Sequence, residues 1–230
     1  LIRFVIRIAL GAICLNFVLP AAAHAADTGL LARLHRAAPR LAPSVLNLAL
    51  DARRCVMEQG GALSDRLGVI DYTRPSTEPR LWVFDLARGK LLFEELVAHG
   101  RNSGENYARD FSNTDGSLAS SLGLFRTLDP YDGHNGYSLR MEGLEPGFND
   151  HALERAIVIH GASYVSWTTA RREGRIGRSW GCPAVSVKAA PKVIDALKGG
   201  QYLFAYYPDR QWLESSPYLH CGAATVAGAP

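Results

Sequence analysis

From Leu67 to Tyr207 the chain is cut into short apolar runs separated by glycine-rich turns, and this interval constrains the fold more than any other property of the sequence. Runs of about five to seven residues are too short for helices that bury a face but match the usual length of strands. They fall at Leu67–Tyr72, Leu81–Leu86, Lys90–Ala98, Leu122–Thr127, Tyr137–Glu142, Ala156–His160 and Gln201–Tyr207, with Ala87-Arg88-Gly89 closing a hairpin between the second and third. Many short strands joined by glycine turns predict a mainly β protein with added helices, either a β-sandwich or a partly closed barrel. One helix is expected among them, over Ser186–Leu197, ended by Gly199-Gly200, with Pro191 leaving the position of its start open.

Upstream the period changes. Val45, Leu46, Ala49, Leu50, Ala52, Val56 and Met57 recur at helical spacing, Pro43 suits a first turn and Gly60-Gly61 a stop, so a helix is predicted over Pro43–Gln59. A shorter one is expected over Gly29–Ala37. Neither carries chemistry, and both read as cover for one face or edge of the domain. Residues 1–25 contain Arg3 and Arg7, an apolar run from Ile8 to Leu19, then Pro20 and an Ala-rich stretch ending Ala23-His24-Ala25. That is the layout of a signal peptide, and the run is shorter than the roughly 20 apolar residues of a membrane span. Ile13 stands before Cys14 where a lipidated cysteine needs a small residue.

The expected organisation is a leader over 1–25, a helical extension over 26–66, a catalytic domain over 67–210 and a tail over 211–230. Cleavage takes away two arginines and no acid, lowering the formal charge from +3 to +1. A chain so nearly neutral is a poor match for nucleic acid, and no stable membrane insertion is expected after cleavage. Oligomeric state is not legible.

The stretch from His160 to Pro183 holds the chemistry. It begins His160-Gly161-Ala162-Ser163-Tyr164 and ends Ser179-Trp180-Gly181-Cys182-Pro183, around an arginine-rich segment from Arg171 to Arg178. A cysteine becomes a nucleophile when an imidazole takes its proton and backbone amides receive the oxyanion. His160 ends an apolar strand, at a sheet rim, and Gly181 lets the main chain approach a carbonyl. The amides of Gly181 and Cys182 are the expected oxyanion hole, and the arginines are expected to favour the thiolate. A lone strand-end histidine is more often structural than catalytic, and a lone cysteine is more often buried and inert. The pair raises both. His99, His134, His160 and Cys182 lack the tight ligand spacing of a zinc module, so no metal is expected.

Ile159-His160-Gly161 followed by Ser179-Trp180-Gly181-Cys182 resembles the signature of the bacterial L,D-transpeptidase catalytic domain, in the branch where proline follows the cysteine. Ser120–Phe125, Gly133–Leu139 and Ala98–Gly104 resemble further segments, so the likeness runs from about Leu67 to Tyr207. The resemblance implies a peptidoglycan L,D-transpeptidase with no metal or organic cofactor. Cys182 attacks the L-centre of meso-diaminopimelate in a tetrapeptide stem, His160 is the base, and the Gly161 carbonyl orients its ring. It also implies a role in wall biogenesis, export to the periplasm or beyond, and acylation of the cysteine by carbapenems. Candidate substrate-binding residues are Arg178, Ser179, Trp180, Tyr164, His99, Gly100 and Ser121. His99 also reads as a histidine that merely satisfies backbone groups, and Trp180 and Tyr164 as sheet packing. Many members carry an arginine two residues after the cysteine; here Pro183 and Ala184 follow, and Arg178 is the candidate replacement for that charge. A stem-peptide hydrolase, such as an L,D-carboxypeptidase, shares the same residues, and a non-catalytic wall-binding module is the third reading. Cys55 and Cys221 are the expected disulfide, since Cys182 must stay reduced and an oxidising compartment pairs spare thiols.

Overall fold

In the computed structural model, which describes residues 21–221, the apolar runs form one eight-stranded sheet of strand order β3-β2-β1-β8-β4-β5-β6-β7. The strands are β1 Arg66–Asp71, β2 Leu81–Asp85, β3 Lys90–Glu95, β4 Gly123–Gly133, β5 Gly136–Gly143, β6 Val158–Ala162, β7 Ala184–Ser186 and β8 Tyr202–Tyr206. Of the two architectures open at the sequence level, the structure has the barrel. Beyond β3 the chain runs on to Ala98, which bridges Ala184 of β7, so the two edges of the sheet meet and the barrel is nearly closed. Closure also removes the open edge that invites aggregation.

Helix α1 spans Ala21–Ala37 and α2 spans Pro43–Glu58. The first reaches further toward the N-terminus than the Gly29 start expected from its pattern. The leader expected over 1–25 lies for the most part outside the described residues. Among the described residues no helix is long and apolar enough to cross a membrane. In α2 the residues Val45, Leu46, Ala49, Ala52, Cys55 and Val56 are buried, the stripe its period predicted, against β1, β4 and β8. The helix α4, Ala190–Leu197, begins with Pro191 in its first turn and touches β5 and β6 as well as β1 and β2. These strands lie far apart in the sheet order, so α4 fills the hollow of the barrel. Val193, Ile194 and Leu197 are fully buried there, each contributing about 1.5–3 kcal/mol of apolar burial. The close approach has a sequence cause: a Cβ on Gly161 would lie 3.0 Å from that of Ala190.

Three elements escaped the sequence. Strand β7 is only three residues long. Helix α3, Trp167–Glu173, runs into the start of the arginine-rich segment; Ser166 Oγ caps it by accepting from Thr169 N–H, and Gly174 ends it at φ 67°. Helix α5, Arg210–Ser215, lies at the start of the stretch expected as a tail. Trp212 is fully buried, and its Nε1–H donates to Glu145 Oε2 at 2.7 Å. Glu145 Oε1 in turn accepts from Leu124 N–H in β4 at 2.6 Å, which ties the helix to the sheet.

Cys55 and Cys221 are joined by a disulfide, with their Cα atoms 5.6 Å apart, linking α2 to the chain beyond α5. They are 166 residues apart in sequence. Chain-entropy estimates for so long a loop give at most about 5 kcal/mol. Cys55→Ser is therefore expected to lower the urea midpoint of the oxidised protein, and a reductant to lower the wild type to the same level while leaving the variant unchanged. Equal midpoints with and without reductant in the wild type would mean that the bridge does not form in solution.

Candidate active site

His160 stands on β6, and Cys182 lies two residues before the neighbouring strand β7. Strands β6 and β7 pair in parallel with His160 opposite Ala184, so the residue two places before Ala184 enters beside the histidine. Both side chains line one cleft of about 400 Å³, together with His134, Asn135, Arg155, Tyr164, Arg178, Ser179 and Trp180. The imidazole is nearly buried, and its Nδ1 lies 3.1 Å from the carbonyl oxygen of Gly161. A carbonyl only accepts, so Nδ1 carries the hydrogen and Nε2 keeps its lone pair. Burial lowers the pKa of His160 and outweighs the Gly161 carbonyl, which acts the other way.

Cys182 Sγ is docked on the chain leading into β6. Val158 N–H donates to it at 3.5 Å, and the thiol points to the Ala156 carbonyl oxygen at 3.7 Å. Ala156 holds φ 53°, a conformation rare for a residue with a side chain, and this turns its carbonyl to the sulfur. Burial pushes the Cys182 thiol up; the Val158 amide, Arg155 and the cysteine's own amide pull the other way. A thiol raised and an imidazole lowered make a neutral resting pair, not a preformed ion pair.

The turn bearing the cysteine is held from inside. Ser179 Oγ accepts from Gly181 N–H at 3.1 Å and donates to the Cys182 carbonyl at 2.6 Å. Two expectations change. Ser179 lines the cleft while its hydroxyl staples its own turn, and the Gly181 amide expected in the oxyanion hole donates to that hydroxyl. The Cys182 amide lies against its own sulfur. From outside, the turn is paired to the segment after β3: Ser179 N–H donates to His99 C=O at 2.9 Å and Arg101 N–H to Ser179 C=O at 2.8 Å.

Three candidate substrate residues are not in the cleft. His99 is wholly buried. Its Nδ1 lies 2.7 Å from Nη2 of Arg80, which can only donate, so Nε2 carries the hydrogen and faces the Gly104 carbonyl at 3.2 Å. Burial and that guanidinium push the His99 pKa down to about 3. Gly100 is buried, its N–H given to Ser120 Oγ at 3.0 Å. Ser121 is buried as well, accepting from Arg155 at 2.6 Å and donating to the Ser112 carbonyl at 2.9 Å. Its neighbour Ser120, which the sequence did not single out, reaches the nucleophile turn by donating to Gly181 C=O at 3.1 Å.

At the cleft itself Trp180 is exposed, and Tyr164 is a wall. Burial, with a smaller effect of Cys182, pushes the Tyr164 phenol up to about 12. Its ring lies where a Cβ of Gly177 would sit, which leaves glycine alone at that position. Arg178 lines the cleft, but its Nη1 donates to Glu105 at 2.7 Å and to the carbonyls of Arg101 and Gly104, and Arg175 also pairs with Glu105. Its charge is matched by an acid. The arginine acting on Cys182 is Arg155, which sequence reasoning missed; the only signal was a cation at the head of the run Arg155-Ala156-Ile157-Val158-Ile159-His160.

A family model described as L,D-transpeptidase catalytic domain matches residues 37–206. No curated protein matches the chain. Among solved structures, an L,D-transpeptidase from Mycobacterium smegmatis is similar at 13% identity and TM-score 0.40, over 63% of this chain and 59% of that one. L,D-transpeptidase 1 of Mycobacterium tuberculosis is similar at 14% identity and TM-score 0.33, over 62% of each. A transpeptidase in complex with imipenem is similar at 15% identity and TM-score 0.37, over 62% of this chain and 59% of that one. The chain thus spans about six tenths of the length of the solved structures it matches first.

The turn depends on Gly181, whose φ is +123° and whose added Cβ would lie 2.8 Å from the Ala119 carbonyl. Gly181→Ala is expected to strain the turn by about 1–3 kcal/mol and to slow labelling of Cys182 by a thiol reagent about tenfold or more, with unfolding temperature lowered by a few degrees. Labelling at the wild-type rate would mean that the turn is not held in this conformation.

Proposed function

The chain belongs to the L,D-transpeptidase catalytic domain family, and from that premise we propose that it is a cysteine-dependent peptidoglycan L,D-transpeptidase, exported by the leader over residues 1–25. The observation that supports the reading is that Cys182 and a histidine whose Nδ1 is fixed on the Gly161 carbonyl line one cleft. That leaves an imidazole lone pair on the side where a base must act.

In the proposed reaction Cys182 Sγ adds to the carbonyl carbon joining the L-centre of meso-diaminopimelate to the terminal D-alanine of a tetrapeptide stem. The thiol proton passes to His160 Nε2 as the carbon–sulfur bond forms, in keeping with a neutral resting pair. Collapse of the tetrahedral adduct breaks the carbon–nitrogen bond, and the proton moves from Nε2 to the departing D-alanine amine. A thioester remains. The amine of a second stem then attacks it, giving a proton by way of Nε2 to the released sulfur. Trp180 and Tyr164, at the rim and wall of the cleft, are the surfaces proposed for the stem.

Incubation of the protein with purified sacculi is expected to yield new cross-linked dimers. Loss of D-alanine without dimers would shift the reading to an L,D-carboxypeptidase, and unchanged muropeptides would remove an enzymatic reading. A carbapenem such as imipenem is expected to form a covalent adduct with wild type and none with Cys182→Ala, read by intact mass. His160→Ala should keep its unfolding midpoint and slow acylation by about 10² to 10⁴. An adduct on Cys182→Ala would displace Cys182 from its role.

The pH profile follows from burial. Because burial disfavours the imidazolium, His160 stays a base to lower pH than an ordinary imidazole of pKa 6.5. The acylation rate is therefore expected to rise with pH on a limb whose midpoint lies below 6.5. A midpoint at or above that value would mean that the protonated form is favoured at this site.

A further inference from the structure

Arg155 occupies a place that the mechanism above leaves without a task. Its guanidinium makes four hydrogen bonds: Nη1 to the Ser112 carbonyl at 2.7 Å and Ser121 Oγ at 2.6 Å, Nη2 to the Ala119 carbonyl at 2.8 Å and Ser117 Oγ at 3.1 Å. Every acceptor is neutral. Four such bonds fix the plane of the group without cancelling its charge, unlike Arg178, which is matched by Glu105. The group also lies against the nucleophile turn: a Cβ on Gly181 would stand 3.5 Å from Nη2, and 2.8 Å from the same Ala119 oxygen that Nη2 holds. The next residue in the chain brings its carbonyl to Cys182 Sγ.

We propose that Arg155 is the fixed cation of this site, held under the Gly181–Cys182 peptide so as to favour negative charge on Cys182 Sγ and on a substrate oxygen bound there. It is a positioning residue that acts through the field it sets at the sulfur. The proposal rests on Cys182 being the nucleophile. The case for a cation is strong at this position because burial otherwise opposes the thiolate, and because one of the two amides expected for the oxyanion is taken by Ser179. Charge fixed before the reaction stabilises developing negative charge without reorganisation at the moment of attack. The other titratable groups facing the sulfur are His160 from β6, Tyr72 after β1, Tyr164 after β6, His134 from the β4–β5 turn and Arg178; Asp115, exposed, is the acid whose charge bears on Arg155.

The test reads the thiol itself and does not require turnover. The rate of Cys182 alkylation by iodoacetamide is followed against pH, with the Cys182 peptide quantified by mass spectrometry. Arg155→Gln, which keeps polar reach and loses the charge, should move the midpoint upward by about one unit. Arg155→Lys, which keeps the charge and loses most of the four bonds, should stay close to wild type. Asp115→Asn leaves the guanidinium in its seat and removes the nearby acid, so its midpoint should move downward, which decides the matter even if the glutamine variant fails to fold. An unmoved midpoint in Arg155→Gln, an upward shift of equal size in the lysine variant, or an unmoved or raised midpoint in Asp115→Asn would overturn the proposal. A protein inert on sacculi but showing these shifts would leave the role of Arg155 standing and remove only the transpeptidase reading.

Discussion

The turn that bears Cys182 depends on a wholly buried cation. Arg80 is wholly shielded from solvent, and its bonds go to the Val97 carbonyl through two nitrogens, to the Arg74 carbonyl and to His99 Nδ1. Burial lowers its pKa to about 10, so it remains charged near neutrality, helped by the Tyr72 ring 5.3 Å away. Burying a charge costs several kcal/mol, and the oriented carbonyls, the ring and the nearby charge of Asp71 together offset it. That cost makes the arrangement selective: the strand end from Val97 to Gly100 must present its carbonyls and its histidine ring in one way or leave the guanidinium unsolvated. The same segment then pairs with Ser179 and Ala184, on either side of Cys182.

Closure of the barrel and assembly of the site are therefore one event. The bridges that join the end of β3 to β7 are the bonds that clamp the cysteine turn. Inside the turn, Ser179 Oγ consumes one amide and one carbonyl; outside it, Ser120 consumes the Gly181 carbonyl. Most polar groups that might have met a substrate are spent on holding the sulfur in place. Facing the cleft are the thiol, His160, His134, Asn135, Ser179, Trp180, Tyr164 and two arginines, of which Arg178 pairs with an acid.

Burial sets the electrostatics of that set. A thiol pushed up and an imidazole pushed down keep both partners neutral at rest. The site thus resembles a serine–histidine pair in its proton economy more than a preformed thiolate, with a backbone carbonyl in the place of the third carboxylate. A carbonyl orients the ring as well as a carboxylate does but offers less stabilisation to an imidazolium, which agrees with a proton that passes through Nε2 without lingering there.

The sequence by itself determined the strands, because alternation and turn residues are local: every apolar run became a strand, and α2 and α4 began at their prolines. Local patterning also pointed to the candidate site, through His160-Gly161 and a Ser179–Cys182 turn that carries a glycine at positive φ, although His160 sits in the middle of β6 and not at the strand end expected of it. Tertiary structure decided what local patterning cannot carry. Whether the strands formed a sandwich or a barrel depended on Ala98 meeting Ala184, a pairing between residues 86 positions apart in sequence that no run of either segment encodes. His99 read either as a substrate ligand or as a histidine that satisfies backbone groups in a glycine-rich turn, and its partners Arg80 and the Gly104 carbonyl turned it inward. Arg178 and Arg155 look alike in the sequence, and only the positions of Glu105 and the Ser112–Ser121 segment matched one charge with an acid and left the other bonded to neutral groups. The charge of an arginine is written in its codon; whether that charge is cancelled depends on neighbours that only folding supplies.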